Sequence, residues 1–258
     1  MLKSILSAML FISSSAVAVA APSTAVVLGK GNFVKLVGPV TDESSSKFIN
    51  DLLLQQGKRE ITVYIDSPGG SVIAGANVVQ TVRNLKATNP KLRVRCYAAN
   101  AASMAFVILQ SVCDQRLIGE VSSLMQHQAT FQVSGRTGEV AARVALVTSY
   151  INLFDSIQAV RLGISIRELR ARTVDEWWML GDEAIKAKAA DAIVPVLCTP
   201  ALVKSTHVET FQNLFFKAEI TWSDCPLVSS PLDVKMENPL DIPLVLQSLE
   251  ARKHQLPE

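Results

Sequence analysis

The segment 60–80, EITVYIDSPGGSVIAGANVVQ, decides the fold of this chain. Ile61, Val63 and Ile65 alternate in a run that predicts a strand, and the run breaks at Pro68 and two glycines. After the break, apolar side chains recur at helical spacing. The segment therefore predicts a strand, a tight turn and a helix, and its glycines allow the turn to present backbone N–H groups.

Strands and helices alternate along most of the remaining chain. The strand FVKLVGPV precedes the helical stretch SSSKFINDLLLQQ, for which Thr41 or Asp42 is the expected N-cap. The later elements, in order, are the strand LRVRCYA, the buried helix AASMAFVILQSV, the short strands QRLIG and SLMQHQ, a long helix over 138–162, the helix SIRELRART, and VDEWWMLGDEAIKAKAADAIVPVL as a loop, a helix and a closing strand. This alternation predicts an α/β layer architecture with parallel pairing.

Bulk composition limits the number of domains and the possible partners. With 258 residues, 49% of them hydrophobic, the chain can bury one domain with an appendage. Its 25 basic and 23 acidic residues form no long runs and its aromatic content is 6%, which argues against nucleic-acid binding. We expect the main domain over 22–198, followed by a C-terminal extension over 199–258 that is partly ordered at best in its last third.

The N-terminus predicts export. Lys3 gives residues 1–21 a positive start, an apolar run follows, and the small residues Ala18 to Ala20 offer a cleavage site before Ala21-Pro22. The mature protein is then periplasmic or secreted. The alternative is a membrane anchor formed by residues 4–20.

The four cysteines fit an oxidising compartment. Among three possible pairings we favour Cys96 with Cys113 and Cys198 with Cys225, and four separate buried thiols are the alternative. The spacings contain no CxxC pair, which argues against a zinc site. We expect no cofactor and no metal.

Ser103 and His127 are the candidates for nucleophilic chemistry. Serine hydrolysis needs a hydroxyl, a base and backbone N–H donors for the oxyanion. Of the three histidines, only His127 lies in the α/β body, since His207 follows the closing strand and His254 lies in the polar tail. Small residues precede Ser103 at a predicted helix N-terminus, where the Met104 N–H is free. Gly70 is a candidate second donor.

Four blocks together resemble a known family. FVKLVGPVTDESSSKFINDLLLQQ, ITVYIDSPGGSVIAGANVVQTV, AANAASMAFVIL and SSLMQHQA are similar in order and spacing to the proteolytic subunit of Clp proteases, over about residues 33 to 197. The resemblance implies a crotonase-like ββα superhelix. It also implies site roles: Ser103 as nucleophile, His127 as general base, the amides of Gly70 and Met104 as oxyanion hole, and Gly69 and Ser71 as substrate-binding residues. The stretch 138–162 matches the family's handle helix, which joins subunits, so a homo-oligomer is expected.

The chain departs from the family pattern in three ways. Glu176 aligns with the family's catalytic Asp, with Asp175 immediately before it, and either carboxylate is a candidate third member of the triad. Asp66 stands where the family commonly has Asn. Export would also separate this chain from the cytosolic ATPase that feeds Clp peptidases, so peptides or unfolded chains are the expected substrates and no ATPase partner is expected.

Three functions remain open at this stage. The first is a secreted Clp-like serine endopeptidase, with a Ser–Lys mechanism as a variant for which no recognisable lysine motif is present. The second is a catalytically inactive scaffold or binding protein on the same fold. The third is an acyl-CoA hydratase or isomerase, which also uses paired backbone amides as an oxyanion hole.

Overall fold

A mixed six-stranded sheet forms the centre of the computed structural model, which describes residues 25–212 and 217–236. The predicted signal segment 1–21, the alternative anchor 4–20 and His254 lie outside the described residues. In chain order, the strands up to residue 198 are β1 Val26–Leu28, β2 Phe33–Val37, β3 Glu60–Ser67, β4 Arg93–Ala102, β5 Gln115–Gln126, β6 Trp177–Leu180, β7 Ala192–Ile193 and β8 Val196–Cys198.

The sheet has the order β2-β3-β4-β5-β6, with β7 also beside β5. The four strands from β2 to β5 are parallel, as the alternation of strands and helices predicts. The helices that connect and cover these strands are α1 Asp42–Leu54, α2 Val72–Thr88, α3 Met104–Val112, α4 Thr137–Leu162, α5 Ile166–Arg172 and α6 Asp182–Lys186. Thr41 is the N-cap of α1, where its hydroxyl accepts the Ser44 N–H at 3.1 Å.

β5 corrects one expectation from the sequence. QRLIG and SLMQHQ were predicted as two short strands, but residues 115–126 form a single strand. The register against β4 shifts between Ala98 and Asn100, and within the resulting bulge the Gly119 N–H donates to the Ser122 hydroxyl at 2.8 Å. Gly119 and the polar residues after it are therefore an irregularity inside one strand rather than a gap between two.

β6 corrects a second expectation. Residues 177–180 were assigned to a loop, yet they pair with β5 in antiparallel register, with Gln126 opposite Trp177 and Ser123 opposite Leu180. The strand has only four residues and lies at the edge of the sheet, so its own sequence carries little periodic signal. It places the chain around Glu176 beside the end of β5.

Two hydrophobic clusters cover opposite faces of the sheet. The larger one packs α1, α2, α3 and part of α4 against one face and includes Phe48, Phe106 and Ile65. The smaller cluster contains Tyr64 and Tyr97, whose rings stack with centroids 6.0 Å apart. The Cys96–Cys113 disulfide ties β4 to the residue after α3.

The C-terminal extension is more regular than its sequence suggests. After α7 (Pro200–Val203), the strands β9 Thr206–Gln212, β10 Lys217–Ser223 and β11 Asp233–Met236 form a three-stranded antiparallel sheet. The Cys198–Cys225 disulfide and the buried Leu202 join this part to the smaller cluster. Both disulfides have the pairing favoured from the sequence, and the polar end expected in the last third of the extension lies outside the described residues.

Candidate active site

Ser103 occupies a sharp turn between β4 and α3. Its backbone has φ 52° and ψ −120°, a region that residues with a side chain rarely adopt. Its N–H donates to the Met125 carbonyl at 2.9 Å, which ties the turn to β5. The hydroxyl makes no capping bond to α3. Strained backbone held in this way is found at functional sites, where it presents a side chain away from the regular structure.

His127 follows the last residue of β5 and faces Ser103. The pairing of Ala102 with Met125 brings the ends of β4 and β5 together, so the residues just beyond them become neighbours. The Nε2 atom of His127 lies 2.8 Å from the Ser103 Oγ atom. This is a hydrogen-bond distance, and it is the contact that a serine nucleophile makes with its base.

The glycine turn lies directly against Ser103. Gly69 has φ 94°, and a Cβ atom there would lie 2.5 Å from the Ala102 carbonyl oxygen and 2.7 Å from both the Met104 nitrogen and the Ser103 Cβ atom. No side chain fits in that space. The absence of a side chain at Gly69 is therefore what allows the turn to reach the nucleophile.

Gly70 and Met104 offer the backbone donors. The turn is fixed by two hydrogen bonds to Val40: Val40 donates to the Gly69 carbonyl at 2.7 Å, and Ser71 donates to the Val40 carbonyl at 2.8 Å. Neither bond uses the N–H of Gly70. Met104 is the first residue of α3, so its N–H has no acceptor within the helix, and the helix dipole favours negative charge there.

Ser71 has a structural role. Its hydroxyl accepts the Ala74 N–H at 3.2 Å and caps the start of α2. Of the two residues expected to bind substrate, Gly69 approaches the nucleophile through its backbone, whereas the Ser71 side chain is engaged by the helix.

A cavity of about 240 Å³ opens beside the serine and the histidine. Its apolar wall includes Val72, Val107, Phe154 and Leu169. This volume suits one large side chain of a bound peptide rather than a drug-sized ligand. Among residues 25–212 and 217–236, no cluster of three His, Cys, Asp or Glu side chains is arranged to hold a metal ion.

The two carboxylates predicted from the sequence do not contact His127 in this conformation. Glu176 accepts a hydrogen bond from the Trp178 indole N–H at 2.8 Å, and Asp175 is exposed. Glu176 directly precedes Trp177, which pairs with Gln126, so its backbone lies close to the end of β5 from which His127 follows. The choice between Glu176 and Asp175 as the third member therefore stays a prediction.

Asp66 lies near the end of β3, just before the glycine turn. It pairs in register with Asn100, whose side chain accepts the Ser123 hydroxyl at 3.0 Å. Burial, followed by the charge of Asp66, raises the pKa of Tyr64 well above its usual range. Tyr64 therefore stays neutral and acts as a hydrophobic core residue.

Several polar residues of the cavity were missed by the sequence interpretation. Asp155 and Gln158 of α4 and Arg170 of α5 line the cavity, as does Gln126 at the end of β5. Arg170 Nε donates to an Asp155 carboxylate oxygen at 2.7 Å. The sequence offers one signal for these residues: Gln126 is a polar residue beside His127 in the predicted strand SLMQHQ.

The helix α4 leaves much of its apolar surface exposed. Among its residues only Phe154, Gln158, Ala159 and Leu162 are buried, while Leu146 and Leu153 are about half exposed. Within the described ranges it is the one helix long and apolar enough to cross a membrane by length and composition, and only 6% of its most apolar window is buried. An apolar helix left open in this way is typical of a surface that another protein surface covers.

The model of the Clp protease family matches residues 20–196 of this chain. The match covers well over half of the 258 residues and includes every strand and helix of the six-stranded sheet described above. The α/β architecture is that of the crotonase-like fold of this family.

Proposed function

The chain belongs to the Clp protease family, and we propose that it is an exported, ATP-independent serine endopeptidase that cleaves peptides or unfolded chains. Membership implies a serine peptidase, and proteins of this family act on peptide substrates and typically oligomerise. The mechanism, the location and the substrates described below are our proposal for this chain.

The contact between Ser103 and His127 carries the proposal. Nε2 and Oγ are 2.8 Å apart, at a helix N-terminus and against a glycine turn. A nucleophile, its base and two backbone donors are the parts that acyl transfer requires.

Peptide cleavage would follow in two halves. The Ser103 oxygen attacks the scissile carbonyl carbon while His127 takes the hydroxyl proton, and the N–H groups of Gly70 and Met104 stabilise the oxyanion. When the C–N bond breaks, His127 gives that proton to the leaving amine, and an acyl-enzyme remains. Water then loses a proton to His127 and attacks the ester carbonyl; the C–O bond to Ser103 breaks, the acid leaves, and His127 returns the proton to the Ser103 oxygen.

Glu176 is the better candidate for the third member. Its neighbour Trp177 pairs with Gln126, the residue before His127, so a rotation of the Glu176 side chain away from Trp178 would direct its carboxylate toward the second ring nitrogen of His127. There it would orient the ring and stabilise the imidazolium. Asp175 is the alternative from the sequence.

Export is supported by the cysteines and the N-terminal sequence. All four cysteines are paired, and such disulfides persist in oxidising compartments. We therefore place the mature protein in the periplasm or outside the cell, with anchoring by residues 4–20 as the alternative. ATP-driven unfolding is not available there, so substrates must arrive as peptides or unfolded chains.

A homo-oligomer through the 138–162 helix completes the proposal. The exposed apolar side chains of α4 support it, as does the oligomerisation typical of the family. Light scattering on the purified mature protein should report a multiple of the monomer mass, and a strictly monomeric active protein would remove this part of the proposal.

The test of the proposed activity is hydrolysis of a reduced, alkylated polypeptide without ATP, followed by mass spectrometry of the products. We expect discrete cleavage fragments from the wild-type protein and none from Ser103→Ala. Failure of the folded, oxidised protein to cleave any unfolded substrate would contradict the proposal.

A catalytically inactive scaffold is the second candidate, and one observation favours it. The carboxylate of Glu176 is bonded to Trp178 rather than to His127. If that bond is permanent, His127 lacks the support that a full triad provides. Absence of cleavage together with retained oligomers would favour this function.

A further inference from the structure

We propose that Gln126 and Gln158 are positioning residues for His127, because their buried side-chain amides link the backbone of the base to α4. This inference rests on the proposed peptidase function. Both residues also line the cavity, but the role inferred here is the positioning of His127, and the experiment below separates it from an effect on binding.

The link is a chain of three hydrogen bonds. The His127 N–H donates to the Gln126 side-chain oxygen at 3.1 Å, and the Gln126 side-chain nitrogen donates to the Gln158 side-chain oxygen at 2.5 Å. The Gln158 nitrogen in turn donates to the Phe154 carbonyl at 3.2 Å. All three donors point in the same direction, from the base to the backbone of α4, and aligned bonds of this kind strengthen one another in a low-dielectric environment.

Both glutamines are almost completely buried. Gln126 is 6% exposed and Gln158 is 1% exposed. Burying an amide is unfavourable unless its polar atoms are paired, whereas replacing both partners with apolar groups of the same shape can be nearly neutral for stability. The fold itself therefore does not require a polar pair here. What the pair supplies beyond packing is a fixed direction for the residue that follows Gln126.

His127 has few other restraints. β5 ends at Gln126, and the next backbone bond along the chain is from the Gln128 N–H to the Thr173 carbonyl at 2.9 Å. The histidine thus lies between two anchors, the Gln126 amide on one side and Thr173 on the other. Because a misplacement of about 1 Å can cost about a hundredfold in rate, loss of one anchor is expected to affect the chemical step.

The experiment compares Gln126→Met, Gln158→Met and the double variant with the wild-type protein. Met has a similar length to Gln but cannot make these hydrogen bonds. The reaction of Ser103 with a fluorophosphonate probe is followed by intact mass on folded protein, which gives the maximal rate of modification and the probe concentration for half-maximal rate.

We expect the maximal rate to fall about 10- to 100-fold in each single variant, with the half-maximal concentration changed by less than about twofold. The double variant should lose little more than the slower single variant, because residues in one network are not additive.

Gln110→Met is the matched control. Gln110 is also 1% exposed, and its side chain bonds to Arg116 and to the Ala189 carbonyl, away from the cavity lining. Its loss should lower the melting temperature but leave the labelling rate of the folded protein within about twofold of wild type. Gln158→Met also serves if Gln126→Met does not fold, since it breaks the same chain from the helix.

Three results would overturn the inference. One is labelling of the Gln126 and Gln158 variants as fast as that of the Gln110 control. Another is a change confined to the half-maximal concentration, which indicates altered probe binding. The third is a wild-type protein that is not labelled, and this result would remove both the proposed function and the inference. If the wild-type protein is labelled but the variants are unaffected, only the inference is removed.

Discussion

Within residues 25–212 and 217–236, a serine and a histidine belong to one hydrogen-bonded group at two places, and the two places differ in what connects the side chains. In the main sheet, His127 contacts the Ser103 hydroxyl directly at 2.8 Å. In the C-terminal sheet, His207 Nδ1 lies 2.7 Å from one oxygen of Asp224, and the Ser205 hydroxyl donates to the other. Asp224 thus joins Ser205 to His207 through its two carboxylate oxygens.

The comparison shows that residue types alone do not make a serine peptidase site. The C-terminal set has its carboxylate in place, but Ser205 lies between the end of α7 and the start of β9, and the described residues next to it along the chain form neither a helix N-terminus nor a glycine turn. The Ser103 site has a serine and a histidine in direct contact at a helix N-terminus and beside a glycine turn, while Glu176 is bonded to Trp178. We interpret the Ser205–Asp224–His207 group as a clamp that holds the extension, and the Ser103–His127 pair as the proposed catalytic site.

The largest expected effect is the loss of peptide hydrolysis when the Ser103–His127 pair, but not the Ser205–His207 set, is mutated. Ser103→Ala and His127→Ala should each lower peptide hydrolysis by at least about a thousandfold, because either change removes the nucleophile–base pair. Ser205→Ala and His207→Ala should leave hydrolysis within about twofold. Initial rates on a fluorogenic peptide measure both, and a comparable loss in the Ser205 or His207 variants would end the distinction.

The glycine turn gives the next largest effect. Gly69→Ala places a Cβ atom against backbone atoms of Ala102 and Met104, so the turn must move away from the nucleophile. Loss of an oxyanion donor costs about 10²- to 10³-fold in rate, and we expect a loss in kcat of that size. Gly57→Ala is the control, since a Cβ there meets nothing within 4 Å. Equal kcat values for the two variants would contradict the role of the turn.

Substitution of the two candidate carboxylates, Glu176 and Asp175, should have a smaller effect on hydrolysis. Glu176→Gln should lower kcat by about 30-fold, less than loss of a fully engaged triad acid, because the contact between Ser103 and His127 is already formed. Trp178→Phe frees the Glu176 side chain and should not lower kcat, and Asp175→Asn should have little effect. A larger loss in Asp175→Asn than in Glu176→Gln would assign the role to Asp175.

The smallest effect concerns pH and stability in the C-terminal sheet. The hydrogen bond from Ser205 and the neighbouring His207 hold the pKa of Asp224 below its usual value, although burial opposes them. A lowered carboxyl pKa stabilises the fold above the unfolded-state pKa of about 4, and this stability is lost as the pH falls through the folded-state pKa.

Asp224→Asn should therefore lower the melting temperature by a few degrees at pH 7, with a difference that disappears near pH 2. Peptide hydrolysis at pH 7 should be unchanged. Thermal unfolding at the two pH values tests this, and a difference that grows in acid would contradict the clamp interpretation.

The main strands and the site were accessible from the sequence because their signals are local. The strand, turn and helix of 60–80 follow from alternation, glycines and helical spacing, and Ser103 follows a strand at a helix start. The antiparallel β6 was missed since four edge residues acquire their structure from β5 rather than from their own pattern. In β10, Ala218 and Ile220 do alternate with polar residues, but over too short a run for a strand to be predicted.

The support of the base was not accessible from the sequence. Gln126 and Gln158 are 32 positions apart along the chain, and their contact depends on how α4 packs on β5. The conformation of Glu176 likewise depends on Trp178, a neighbour on a strand that was not predicted. Such contacts are set by tertiary packing, which a single sequence does not reveal.

The most direct test of the central claim is fluorophosphonate labelling of the purified, disulfide-bonded protein, read by intact mass and peptide mapping. We predict a single adduct on Ser103, lost in His127→Ala, and none on Ser205. An unlabelled protein that is folded and correctly oxidised, or an adduct on Ser205 instead, would contradict the assignment of the catalytic site.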